Sequence, residues 1–212
     1  MLWFQQVIPI LVSVTTVDKP KRLGYIQIMV YLQETEINAL LKIAHDRNSE
    51  HHLALLVMYA TGTRVSQCLR LRGIDVFADP ITGEFKVRLP RAKRGTSRTY
   101  AILKSADPTH DMSPLIDLAL HRGTSKLFGG LTRHYLHVVI KRYARLAGLH
   151  EDMVHCHTVR HSTAMRIWEK TQRPGAITGY LCHTDTASVY PYLRENDANI
   201  GQQVMAAVLG MK

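Results

Sequence analysis

The chain is poor in the residues that would place it outside a reducing compartment or inside a membrane. It has three cysteines, Cys68, Cys156 and Cys182, an odd set with no CxxC pair and no zinc-ligand spacing. That excludes a disulfide framework and fits a reducing cytoplasm. The apolar opening MLWFQQVIPILVSV is too short to span a bilayer, is interrupted by Pro9 and lacks the charged start of a signal peptide. It is expected to be a buried strand or a subunit contact. There is no glycine-rich nucleotide loop, no HExxH, no internal repeat and no low-complexity tract. Acidic residues are also scarce, 17 against 27 Lys plus Arg, for a net charge of +10. A basic surface gains free energy by releasing the counterions of a phosphate backbone, so a polyanionic partner is expected; the alternative is that the charge only aids solubility. Twelve histidines would add charge below pH ~6.5 and tighten phosphate binding there.

What is present is a helical pattern around one core. With 212 residues, 46% of them hydrophobic, the chain can bury a single sizeable core. Residues 1–30 divide into an apolar segment and the basic linker DKPKRLG; residues 31–212 read as one domain ending in a helix. In LQETEINALLKIAHD, Ile37, Leu40, Leu41 and Ala44 recur at helical spacing, with Thr35 as a candidate cap. EHHLALLVMYATG is a second helix stopped by Gly62, and TRVSQCLRLRGIDV is expected to continue as a helix to Gly73. DPITG, EFKVRL, PRAKRGT and SRTYAIL alternate turns with strands, which gives a small antiparallel sheet. SPLIDLALHRG, TRHYLHVVIKRYARLAG, HTVRHSTAMRIWEKT and GAITGYLCH are further helices. The fold class is therefore mainly α with a small antiparallel β-sheet.

Three islands hold polar residues that a helical core does not need. In ATGTRVSQ, Arg64 follows a glycine break near a helix start, where free N–H groups favour an anion; it is otherwise a surface arginine capping a carboxylate. In HCHTVRH, His157 and Arg160 are three apart and share a helix face, so both can donate to phosphoryl oxygens; a solvated basic face is the plain alternative. The adjacent arginine argues against a metal there. GYLCHTDTASVYPYL holds His183, a run of small hydroxyl residues, then Tyr190 and Tyr192, whose ordinary role would be packing. Lys93 sits at the tip of the expected hairpin.

In order, TGTRVSQ, RAKRG, HTVRH, YLCH and SVYPYL resemble the boxes of the tyrosine recombinases, the phage-integrase and Xer-like family, across roughly residues 31 to 200. The resemblance implies that family's catalytic-domain fold and a site-specific recombinase cutting DNA through a 3′-phosphotyrosyl link, with no cofactor and no metal. Carried over by position, Arg64 and Arg160 are the paired arginines, Lys93 the hairpin lysine, and His157 and His183 the two histidines. Arg91, Arg94, Arg98 and His161 are expected to contact DNA. Gln67 stands where the family often has glutamate, and Cys182 replaces the common glycine before His183. Only residues 1–30 precede the resembling region, as in the short fimbrial phase-switching recombinases, so DNA grip is expected to be weak or shared with another subunit or protein. Counting nine residues from His183 selects Tyr192 as nucleophile. The local pattern in TASVYPYL selects Tyr190: with Asp185 or Thr186 as N-cap it places Pro191 just past the turn where proline is tolerated, but it keeps a hydrophobe before the tyrosine and accounts for the hydroxyl run, so Tyr190 is the expected nucleophile and Tyr192 the alternative. Family practice further implies a homotetramer on double-stranded DNA. A stripe of Val204, Val208 and Leu209 in the C-terminal helix would dock on a neighbour or pack at home, and accessory DNA-binding proteins are further expected partners. Non-enzymatic DNA binding and topoisomerase-like strand transfer are the rival functions.

Overall fold

The computed structural model describes residues 11–13, 29–90 and 97–181. Strand β1 (Leu11–Ser13) runs parallel to β2 (Met29–Tyr31), with Leu11 opposite Met29 and Ser13 opposite Tyr31. The helices are α1 (Glu34–Arg47), α2 (Ser49–Thr61), α3 (Val65–Cys68), α4 (Pro114–Arg122), α5 (Arg133–Leu146), α6 (Cys156–Thr171) and α7 (Pro174–Leu181). Strands β3 (Val76–Ala78), β4 (Phe85–Leu89) and β5 (Arg98–Ala101) form an antiparallel sheet in sequence order. This is the mainly helical, small-sheet class expected from the sequence.

The helix ends follow from local chemistry. Helix α1 starts on a capping box in which the Gln33 N–H donates to the Glu36 carboxylate at 2.7 Å, so Thr35 lies inside the first turn and is not the cap. The Asn48 side chain accepts from the His51 N–H, and Thr132 from Tyr135, to open α2 and α5. Pro114 fills the first turn of α4, where its missing N–H costs nothing. Helix α2 is buried on every side from Leu53 to Met58, which makes it the central helix, with α1 and α6 packed on it. A second buried cluster joins Tyr31 of β2 to Ala164, Met165 and Trp168 of α6 and Ile177 and Leu181 of α7.

The helix expected to reach Gly73 is only one turn long. The chain leaves it so that the fully buried Leu71 can enter the core and Gly73 can pass against the backbone of Ala119 and Gly123, where no side chain fits. A short 3₁₀ turn at Gly73–Asp75 then feeds β3. No helix among the described residues is long and apolar enough to cross a membrane.

Candidate active site

Three segments far apart in sequence meet where α2 ends. Gly62 closes α2 with a left-handed φ of 60°. A methyl group on its Cα would overlap the Leu181 side chain and press on Thr163 Cγ2 at 3.2 Å. Two residues later, Arg64 is the residue on which α3 starts. Its side chain is half-buried and makes no hydrogen bond or ion pair with another described residue, so no described carboxylate occupies it.

Arg160, in the second turn of α6, is buried. Its Nη1 donates to the Gly62 carbonyl and its Nη2 to the Leu181 carbonyl, the second at 2.9 Å. Carbonyls at helix C-termini lack intrahelical partners and carry the negative end of the dipole. A planar guanidinium can serve two of them at once. The neighbouring carbonyl of α7, that of Tyr180, accepts from Arg98 Nη1 at 2.9 Å and from the Tyr100 hydroxyl at 2.8 Å. Arg98, expected on the DNA-contacting surface, thus ties β5 to α7. The Tyr180 hydroxyl donates to the Ala60 carbonyl at 2.6 Å; burial first, then Tyr100, pushes its pKa up to about 12. That phenol stays protonated and structural. Gln67, also buried, donates from Nε2 to the Pro90 carbonyl at 3.0 Å, which joins α3 to the main chain just past β4.

His157 lies in the first turn of α6 and is exposed. Partial desolvation, then the positive charges of Arg160, Arg133 and Arg64, hold its pKa below the ordinary histidine value. Those three arginines therefore act on one imidazole, and the neutral ring is available as a proton acceptor at neutral pH. The His157 and His161 rings are neighbours at 6.4 Å, with His155 at 6.3 Å from His157. His155 caps α6 by accepting from the Thr158 N–H at 3.1 Å, a role only a neutral ring can fill. Burial, reinforced by His157, His137 and Lys141, keeps its pKa low.

Beside this corner opens a cleft of about 590 Å³, lined by Arg133, His134 and His137 of α5 and by His155 and His157 at the start of α6. Sequence reading passed over Arg133, His134, His137 and His155. The spacing of His134 and His137, three apart on one helix, was available as a signal; their meeting with α6 depends on tertiary structure. Lys93, Arg91, Arg94, His183, Tyr190 and Tyr192 lie outside the described residues. Among the described residues, no group of three His, Cys, Asp or Glu side chains is arranged to hold a metal ion.

A family model described as the phage integrase family matches residues 30–199. The chain belongs to the phage integrase family. Its relatives include the tyrosine recombinase XerD of Rickettsia conorii, 26% identical in an alignment 202 residues long that covers 86% of this chain and 65% of the relative. Among solved structures, the XerH site-specific recombinase bound to a palindromic difH substrate, in a post-cleavage complex, superposes with a TM-score of 0.68 at 20% identity, over 86% of this chain and 54% of that one. A lambda integrase tetramer bound to a Holliday junction gives a TM-score of 0.57 at 16% identity, over 76% of this chain and 47% of the integrase. The chain thus spans 65% of the XerD relative and about half of each of these structures, and at these identities the superpositions establish a shared fold.

Proposed function

We propose that this phage integrase family member is a site-specific DNA recombinase that cuts and rejoins strands through a covalent 3′-phosphotyrosyl intermediate. The observation that carries the reading is the contact of Arg160 with the Gly62 carbonyl. It joins the HTVRH and TGTRVSQ boxes, whose contacting residues are 98 positions apart, and leaves the nearby Arg64 without a described partner. Residues 31–212 would supply the catalytic domain.

In the proposed reaction the tyrosine oxygen attacks the scissile phosphorus, the bond to the 5′ oxygen breaks, and the phosphotyrosyl link stores the bond energy for rejoining. Negative charge builds on the non-bridging oxygens in the transition state. Arg64, Arg160 and His183 would donate to them, each worth roughly 3–4 kcal/mol by analogy with other preorganised donors. Ordinary tyrosine has a pKa of ~10, so its proton must leave as the bond forms. His157 would assist as proton acceptor or as a positioning group, and Lys93 would donate to the departing 5′ oxygen. Arg91, Arg94, His161 and the lining of the cleft would meet the DNA backbone. The tetramer on DNA described for lambda integrase is the assembly proposed here, with the C-terminal helix as the docking element.

Incubating the protein with a random-sequence library of nicked duplexes, which lose the cut strand and trap the adduct, selects its site and reads its chemistry together. A covalent adduct that survives denaturation is expected from the wild type and from Tyr192→Phe, and none from Tyr190→Phe. Loss with Tyr192→Phe alone would move the nucleophile to Tyr192. Binding without any adduct would leave a non-enzymatic DNA-binding protein. Adduct formation that relaxes supercoils but never joins paired sites on a plasmid would leave a topoisomerase-like enzyme.

A further inference from the structure

We propose that Thr63 is a positioning residue for Arg160, acting through a single water bound between the two side chains. The water site stands on the geometry of this corner; its effect on strand cleavage rests on the recombinase reading above.

Beside the end of α2 lies a small cavity of about 20 Å³ whose polar lining is Thr61, Thr63, Gln67, Arg98, Tyr100 and Arg160. All but one of these side chains are engaged. The Thr61 hydroxyl donates to the Val57 carbonyl at 2.6 Å and accepts from the Thr63 N–H at 3.3 Å. Gln67 donates to the Pro90 carbonyl, Arg98 and Tyr100 to that of Tyr180, and Arg160 to those of Gly62 and Leu181. The Thr63 hydroxyl is buried, in a residue only 2% exposed, and has no partner among the described residues. A buried hydroxyl without a hydrogen bond is costly, and native chains rarely keep one. One water needs roughly 10–15 Å³ and two to four polar partners, and this cavity offers both. A phosphate group does not fit in it. A guanidinium only donates, whereas a hydroxyl both donates and accepts. A water therefore accepts from Arg160 on one side and pairs with the Thr63 hydroxyl on the other. Thr63 precedes Arg64 directly in the chain, so this bridge ties the Arg160 guanidinium to the turn that carries Arg64 and keeps the two arginines in register.

The test is a set of crystal structures of the wild type, Thr63→Val and Thr63→Ser, sharp enough to show ordered water, together with single-turnover adduct formation on the nicked duplex selected above. The wild type and Thr63→Ser should show one water within hydrogen-bonding distance of both the hydroxyl at position 63 and Arg160. Thr63→Val keeps the shape without the hydroxyl and should lose that water. Its adduct formation should slow about tenfold, the effect of one hydrogen bond, with duplex affinity changed by less than about twofold and most of the rate kept in Thr63→Ser. Thermal unfolding gives an independent sign. Deleting an orphaned hydroxyl leaves Tm unchanged or raises it, whereas deleting one that holds a water lowers it. A wild-type structure with no water there, or with another side chain on the hydroxyl, would overturn the inference. So would a Thr63→Val protein with wild-type rate or unchanged or raised Tm, or a Thr63→Ser protein as slow as Thr63→Val. Absence of any wild-type adduct would instead sink the recombinase reading, and the crystal structures and the Tm sign would still decide the water site.

Discussion

Gly62→Ala is the most direct probe of how the site is held together. Two costs add. A non-glycine residue at a φ of 60° is strained by roughly 1–2 kcal/mol. The new methyl also overlaps the Leu181 side chain, which is 3% exposed and has little room to move, and such overpacking costs typically 1–3 kcal/mol. The sum is about 2–5 kcal/mol out of a typical domain stability of 5–15. For a chain of this size that is a fall in Tm of about 5–15 °C. The assay is thermal or urea unfolding, paired with adduct formation, because the same residue supplies the carbonyl that holds Arg160. Adding Leu181→Ala supplies a check: it removes the obstructing atoms, so the double variant should be destabilised by at least ~1 kcal/mol less than the two single changes together. A Gly62→Ala protein with unchanged Tm, or strict additivity in the double variant, would refute the close packing of α7 on this corner.

Other outcomes follow from the same contacts. Arg160→Lys leaves a single ammonium where two carbonyls converge, so adduct formation should fall by about 100-fold or more while the overall fold persists in circular dichroism. Acid should destabilise the protein in a defined window. His51, His52 and His155 have pKa values held below the ordinary 6.5, chiefly by burial. Above pH 6.5 they are neutral folded or unfolded; below it the unfolded chain takes protons that the folded chain refuses, so Tm should drop from about pH 6.5 downward. His155→Asn, which keeps a cap acceptor without titrating, should reduce that loss. Asp79 and Asp107, held at about 2 by hydrogen bonds, add a separate loss only below about pH 4. His134→Ala with His137→Ala should weaken duplex affinity severalfold in a fluorescence-anisotropy titration, because both side chains line the cleft beside Arg133.

Much of the fold was legible because its helices carry their own stops. Gly62, Gly123 and Gly148 mark the ends of α2, α4 and α5 region by region, and the alternation in EFKVRL and SRTYAIL marks β4 and β5. The failures came where tertiary packing decides. Helix α3 is cut short because Leu71 and Gly73 answer to the core and to α4, which no local pattern reveals. Strand β3 is three residues long and exists by pairing Val76 with Val87. In the site, the arginine boxes were readable as motifs, and their meeting was an expectation that the Arg160–Gly62 contact supports. The partners of Arg98 and Gln67 were not readable: each bonds a main-chain carbonyl, and a carbonyl has no signature in the sequence.

The last turn of α7 behaves as a mechanical junction. Its two terminal carbonyls are fastened to the sheet through Arg98 and Tyr100 and to α6 through Arg160, while the Tyr180 ring is pinned to α2. Any pull delivered to the chain at Leu181 is consequently shared among three separate parts of the domain, and none of them can shift alone. A load applied there, whatever its origin, would register directly as a displacement of the Arg160 guanidinium.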